Sequence, residues 1–142
     1  MNLISANGMQ NVIGNKIPNV RIACNGDATE LYQFLSEFPY ILLFTGERPS
    51  VKMANGTYDL YDNLLVEYRK TIKAVIVTNL VPMGLKGREI ILDLDGALYE
   101  NFNITDHPLM VLVDREKYIR SISDHVSLLQ VKQILSKHHH II

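Results

Sequence analysis

Residues 109–123, LMVLVDREKYIRSIS, decide the fold, because two strand-like runs stand on either side of a gap of four residues. Leu109 to Val113 is a continuous apolar run, too short for a helix and suited to a strand covered on both faces. Tyr118 to Ser123 mixes polar and apolar positions, as an outer strand does. Asp114-Arg115-Glu116-Lys117 joins them, and a connection that short permits a hairpin but no parallel crossover, which needs a dozen residues or more.

Working outward, Ile17 to Cys24 alternates, with Val20 and Ile22 on one side and Arg21 on the other, which predicts a half-buried strand ended by Gly26. Asp27 followed by Glu30 resembles a capping box. Leu31, Phe34, Leu35 and Phe38 then predict an amphipathic helix of about three turns closing at Pro39. Tyr40 to Phe44 is a second covered strand. Thr45 to Asn55 reads as a loop, and Leu60, Tyr61, Leu64, Leu65 and Tyr68 mark a helix capped by Asp59. Ile72 to Thr78 is another covered strand, and Val81 to Leu92 reads as a loop with a short extended piece at Ile90 to Leu92. The Asp93-Leu94-Asp95-Gly96 stretch turns the chain into a short helix with Leu98, Tyr99 and Phe102, capped by Asp95. Asp124 is the expected cap of a last helix carrying Leu128, Val131, Ile134 and Leu135.

A βαβ half followed by a ββα half, with Pro108 opening the hairpin, predicts an α/β domain of thioredoxin-like fold, its mixed central sheet flanked by helices. A flavodoxin-like sheet would need a helix where Asp114 to Lys117 stands. Residues 1–16, rich in Asn and Gly, are expected to form a flexible arm before a single domain at 17–142.

The chain of 142 residues is 47% apolar and 20% charged with a net charge of −1, which gives no basic nucleic-acid footprint. No apolar run approaches the roughly 18 to 20 residues of a bilayer span, and the start of the chain is not signal-like. Together with a single cysteine, Cys24, this predicts a cytoplasmic protein that binds neither nucleic acid nor membrane, with the sequons at Asn55 and Asn103 unused.

The chemistry is mostly excluded. A thioredoxin would carry a CxxC at the helix N-terminus after the central strand, where the helix dipole lowers a thiol pKa. Here that stretch is Gly46-Glu47-Arg48-Pro49-Ser50. Cys24 lies on another strand and reads as a buried structural cysteine. Asp93 to Gly96 lacks the ligand spacing of a calcium loop. Gly8 to Lys16 lacks the spacing and the Ser/Thr of a phosphate loop. His138, His139 and His140 point in different directions with no completing ligand and read as a solvated tail, so no metal site is expected. No catalytic set can be assembled. His107-Pro108 would face Gly46 to Ser50 at the old substrate face, and these seven residues form a candidate partner or ligand groove, with Pro108 a candidate cis-proline.

The stretches GDATELYQFLSEFPYILLFTG (26–46), DLDGALYENFNI (93–104) and MVLVDREKYIRSI (110–122) resemble the C-terminal thioredoxin-like domain of phenol hydroxylase-type FAD-dependent aromatic monooxygenases. The likeness rests on Pro18, Leu31-Tyr32, Leu42-Leu43-Phe44, Asp93, Asp95-Gly96 and Tyr118-Ile119. Asp114 to Lys117 replaces the Arg-Pro-Asp-Gly turn usual in that family. No GxGxxG follows a strand, so no dinucleotide would be held by this chain. The resemblance implies a non-catalytic interaction or dimerisation domain without a cofactor of its own, FAD belonging to a separate domain, and a homodimer or a flavoprotein as partner. The alternative expectation is a thiol-dependent oxidoreductase, or a glutathione-linked enzyme, using Cys24.

Overall fold

The computed structural model describes residues 12–68, 70–80 and 87–138. Its elements are β1 (Arg21–Cys24), β2 (Asp27–Glu30), α1 (Leu31–Leu35), β3 (Tyr40–Phe44), α2 (Val51–Tyr68), β4 (Lys73–Thr78), β5 (Ile90–Asp93), α3 (Ala97–Asn101), β6 (Leu109–Val113), β7 (Ile119–Ser123) and α4 (Leu128–Lys137). The seven strands form one sheet in the order β2-β1-β5-β4-β3-β6-β7. β3, β4 and β5 are parallel, and each flank continues antiparallel.

The run Tyr40 to Phe44 shows why the sheet is covered twice. Alternate side chains leave opposite faces of a strand. Tyr40, Leu42 and Phe44 therefore join Leu31 and Leu35 of α1 and Leu98, Tyr99 and Phe102 around α3 in one core. Ile41 and Leu43 join Leu60, Tyr61 and Leu64 of α2 and Val131, Ile134 and Leu135 of α4 in the other. All five residues of β3 and all five of β6 are buried, as their unbroken apolar runs require.

The β6–β7 hairpin forms as expected, with a register irregularity between Leu112 and Val113. Asp114 is 3% exposed and holds the turn, its Oδ1 accepting from the Glu116 and Tyr118 amides and its Oδ2 from Arg120 Nε. From the other side, Gly14 donates to the Ile119 carbonyl and the Asn15 carbonyl accepts from the Ile119 amide, so residues 14 and 15 lie along the outer edge of β7.

Five local expectations are corrected. Asp27 to Glu30 is a strand, not a helix start. Asn25 and Gly26 take φ 55° and 84°, and two positive φ values in a two-residue loop make the hairpin turn that Asn-Gly favours. The helix that follows is one and a half turns, ended by Ser36 at φ 54° instead of running to Pro39. α2 begins eight residues before Asp59, at Val51, because Ser50 Oγ accepts from the Met53 amide as an N-cap. α4 is capped by Ser127, which accepts from Gln130, and not by Asp124. The N-cap of α3 is Gly96 in the left-handed region. The side chain serving that turn is Asp93, which accepts from the Tyr99 amide, so Asp95 has no capping role.

Candidate functional site

β3 ends at Phe44 and the chain reaches α2 through Thr45 to Ser50. Tyr99 holds this junction from below. Its buried hydroxyl lies 2.8 Å from the Thr45 carbonyl, 3.0 Å from the Val77 carbonyl and 3.0 Å from the Thr45 hydroxyl. With one proton to give, it donates to the carbonyls and accepts from Thr45, tying the ends of β3 and β4 together. Burial pushes the Tyr99 phenol far up, so it stays a donor.

The two segments of the expected groove meet, but they do not enclose one groove. Glu47 donates its amide to the Thr105 carbonyl at 2.7 Å. Gly46 lies so close to Asp106 that a Cβ there would clash with the Asp106 carbonyl oxygen and stand 2.7 Å from its carbon. On one side of this contact Glu47, Arg48, Asn79, Leu80 and Asp106 line a polar cleft of about 410 Å³. On the other, His107 and Pro108 join Phe102, Ile104, Leu109 and Ile122 around a more apolar cleft of about 390 Å³. Pro49 is half-buried and Ser50 is committed to capping α2. The His107–Pro108 bond is trans, against the candidate cis-proline.

Sequence reasoning missed Asn79, Leu80 and Asp106 as lining residues. Their one signal was position, since the carboxyl ends of parallel strands are where open α/β sheets take ligands.

Cys24 lies elsewhere. It ends β1, opposite Asp27 on β2 and Ile91 on β5. Two strands separate β1 from β3, which at ordinary strand spacing puts the thiol about 14 Å to the side of the junction. It is free and half-buried, packed against the core on the α1 side. Burial, then the charges of Glu89 and Asp27, push its thiol pKa up. Glu89 is itself raised by partial burial, against an opposing pull from Lys73. Burial and then Glu89 raise the Tyr40 phenol on the same face.

Among the described residues no three His, Cys, Asp or Glu side chains gather as a metal site would require. No described helix is long and apolar enough to cross a membrane. His138 closes the last turn of α4, while His139 and His140 lie outside the described residues.

Solved structures resemble this arrangement over most of their length. Peroxidoxin BcpB from Mycobacterium tuberculosis superposes with a TM-score of 0.71 at 13% identity, covering 92% of this chain and 97% of that one. The exposed lipoprotein thioredoxin Etrx1 from Streptococcus pneumoniae gives 0.65 at 13% identity, covering 84% and 99%. The thioredoxin domain of a thiol-disulfide oxidoreductase from Bacteroides vulgatus gives 0.65 at 14% identity, covering 89% and 96%. The fold is thioredoxin-like. At these identities the likeness establishes the fold alone. No protein-family model matches the sequence and no curated protein matches it.

These comparisons correct the resemblance to the phenol hydroxylase C-terminal domain. The structural neighbours are thiol-disulfide oxidoreductases and peroxidoxins, not monooxygenase domains. The anchors of that resemblance are fold positions. Leu42 to Phe44 is the central strand, Leu31 is core, and Asp93 and Gly96 build a turn. Residues that fill a core or build a turn serve the fold and do not single out a family. The reading as a non-catalytic dimerisation domain of that family falls with it.

Proposed function

We propose that this chain is a thiol-dependent oxidoreductase that works with one thiol, Cys24, exchanging disulfides with a small thiol such as glutathione. The observation that carries the reading is that Cys24, the one sulfur nucleophile in the sequence, is free and reaches the surface of a thioredoxin-like domain. The named activities of the structural neighbours support it. In the step, the Cys24 thiolate attacks one sulfur of glutathione disulfide. A Cys24–glutathione bond forms, the old disulfide breaks, and the second glutathione leaves as a thiolate and takes a proton from water. A single thiol has no resolving partner within the chain, so a second glutathione must reverse the reaction. Such chemistry belongs in a reducing, glutathione-containing compartment such as the cytoplasm.

The environment of Cys24 sets the rate. A thiol held protonated by burial, Glu89 and Asp27 supplies little thiolate near neutrality, so exchange is slow there and speeds up as pH rises, with a midpoint above the free-thiol value of about 8.5. Incubating the folded protein with glutathione disulfide across this pH range and weighing the product tests the reading. The mixed disulfide is expected on the wild type and absent in Cys24→Ser. A wild type that stays unmodified throughout, while its unfolded chain reacts, refutes the reading.

A further inference from the structure

Among the described residues Asn-Gly occurs twice, at Asn25-Gly26 and at Asn55-Gly56. Both asparagines are exposed, and a Cβ on either glycine would meet nothing within 4 Å. Local chemistry and access to water are therefore alike, and the backbone is what separates the two pairs.

Asparagine before glycine is prone to a reaction that needs water alone. The glycine amide nitrogen attacks the asparagine Cγ, so an N–Cγ bond forms and the Cγ–Nδ2 bond breaks. Ammonia leaves with the proton given up by the glycine N–H. Water then opens the cyclic imide, at Cγ to give aspartate or at the main-chain carbonyl carbon to give isoaspartate, whose backbone runs through the side chain. Ring closure requires a glycine nitrogen free to approach Cγ. Gly56 lies inside α2, where a helical backbone commits its amide to the carbonyl four residues back. Thr57, Leu60, Tyr61 and Leu64 bury that helix against the sheet, so this stretch opens rarely. Gly26 instead lies in the two-residue loop, outside the ladder pair Cys24 and Asp27 that flanks it. The loop leads into β2, a four-residue edge strand with no buried residue, and such a hairpin opens at low cost.

We propose that Asn25 is a site of spontaneous deamidation, and that its product, a carboxylate next to the chain's one thiol, lowers the reactivity of Cys24. Aspartate or isoaspartate at this position adds a negative charge to those of Asp27 and Glu89, which already favour the protonated thiol. Isoaspartate also adds a methylene to the backbone of a two-residue loop. The thiol enters only as a readout, so the inference stands apart from glutathione exchange.

Holding the folded full chain in mildly alkaline buffer and mapping its peptides by mass spectrometry tests the site. Conversion is expected to accumulate at Asn25 and to run at least about tenfold slower at Asn55 in the same sample, while the denatured chain converts both at similar rates. Asn7-Gly8, outside the described residues, is mapped apart. The effect on the thiol is tested with Asn25→Asp, whose Cys24 should alkylate about two- to fivefold more slowly than the wild type near neutrality, the size of one charge a few ångströms away in water. That difference should shrink in about 1 M salt, where the screening length is about 3 Å. Asn25→Gly, which suits the positive φ of the turn and brings no charge, should alkylate at the wild-type rate. Should Asn25→Asp not fold, the aged wild type serves in its place. A folded chain that converts Asn55 as fast as Asn25, or leaves Asn25 intact while the denatured chain converts it, overturns the site. An alkylation rate that the new charge leaves unmoved, or that Asn25→Gly lowers equally, overturns its effect on the thiol.

Discussion

The junction from β3 to α2 and the turn from β1 to β2 divide between them what a thioredoxin-type site needs at one place. The junction has the geometry: a central strand ending beneath the first turn of an 18-residue helix, with a facing loop packed against it. It has no sulfur. The β1–β2 turn has the sulfur, on an edge hairpin with a carboxylate opposite it and no helix N-terminus to lower its pKa. Thiol reactivity follows the local field, so the same atom is worth less at the hairpin than it would be at the junction. Each region can be pushed toward the other's character.

The largest effect is expected from breaking the junction. Gly46→Ala places a methyl against the backbone of Asp106, and backbone on both sides leaves nothing flexible to give way. Thermal unfolding should show a loss of about 2 to 3 kcal/mol, the cost of overpacking a tight contact. A loss under a few tenths would mean that the two loops part readily. Next comes Tyr99→Phe, which takes the phenol donor from the buried Thr45 carbonyl, while the Val77 carbonyl keeps the Thr45 amide. About 2 kcal/mol is expected. By contrast Cys24→Ser, at a half-buried edge, should change stability by well under either figure.

The difference between these regions also marks what could be read from residues alone. The β6–β7 hairpin was legible because Asp114 to Lys117 is too short to be anything else, and β3 was legible because five apolar residues in a row must be covered on both faces. The β1–β2 hairpin announced itself equally, through Asn25-Gly26. The Asp27 and Glu30 spacing of a capping box competed with it, and only the positive φ at both turn residues settles which wins. The helix starts at Val51 and Leu128 were misplaced because serine and aspartate cap equally well, and the choice between them depends on where the chain enters the helix. Of the expected groove, the strand order brings Gly46 and Glu47 against Thr105 and Asp106, while His107 and Pro108 line a separate cleft. That Gly46 would pack into Asp106 and divide the space could not be seen, since a glycine's close approach leaves no mark on the sequence beyond the glycine itself. Asn79 and Asp106 carry no motif.

Moving the sulfur gives the junction what it lacks. In Cys24→Ser with Val51→Cys the thiol sits in the first turn of α2, at a residue 79% exposed, where the helix N-terminus favours the thiolate. Near pH 7 its alkylation by iodoacetamide should run at least about tenfold faster than that of Cys24 in the wild type. Equal rates would show that the low reactivity of Cys24 owes nothing to its surroundings.

The smallest effect comes from changing a charge that acts on the hairpin from its neighbour, Glu89 immediately before β5. Burial raises the Glu89 carboxyl and the Lys73 charge only partly opposes it, so the fold favours the neutral acid. A group raised in the folded state contributes stability below its unfolded pKa of about 4.3 and loses it as pH climbs through the folded value. Near pH 7 the wild type therefore carries a charge that the fold disfavours, whereas Glu89→Gln carries none. The variant should be the more stable near neutrality, by under about 1 kcal/mol once solvent screening is allowed for, and the gap should close in acid, where glutamate is neutral too. Because the Glu89 charge also raises the thiol, the same change should shift the pH profile of Cys24 alkylation downward. A variant less stable than the wild type near neutrality would mean that the attraction to Lys73 outweighs burial. Loss of stability with an unmoved alkylation profile would take Glu89 out of the account of Cys24 altogether and leave burial and the Asp27 charge as the causes of its low reactivity.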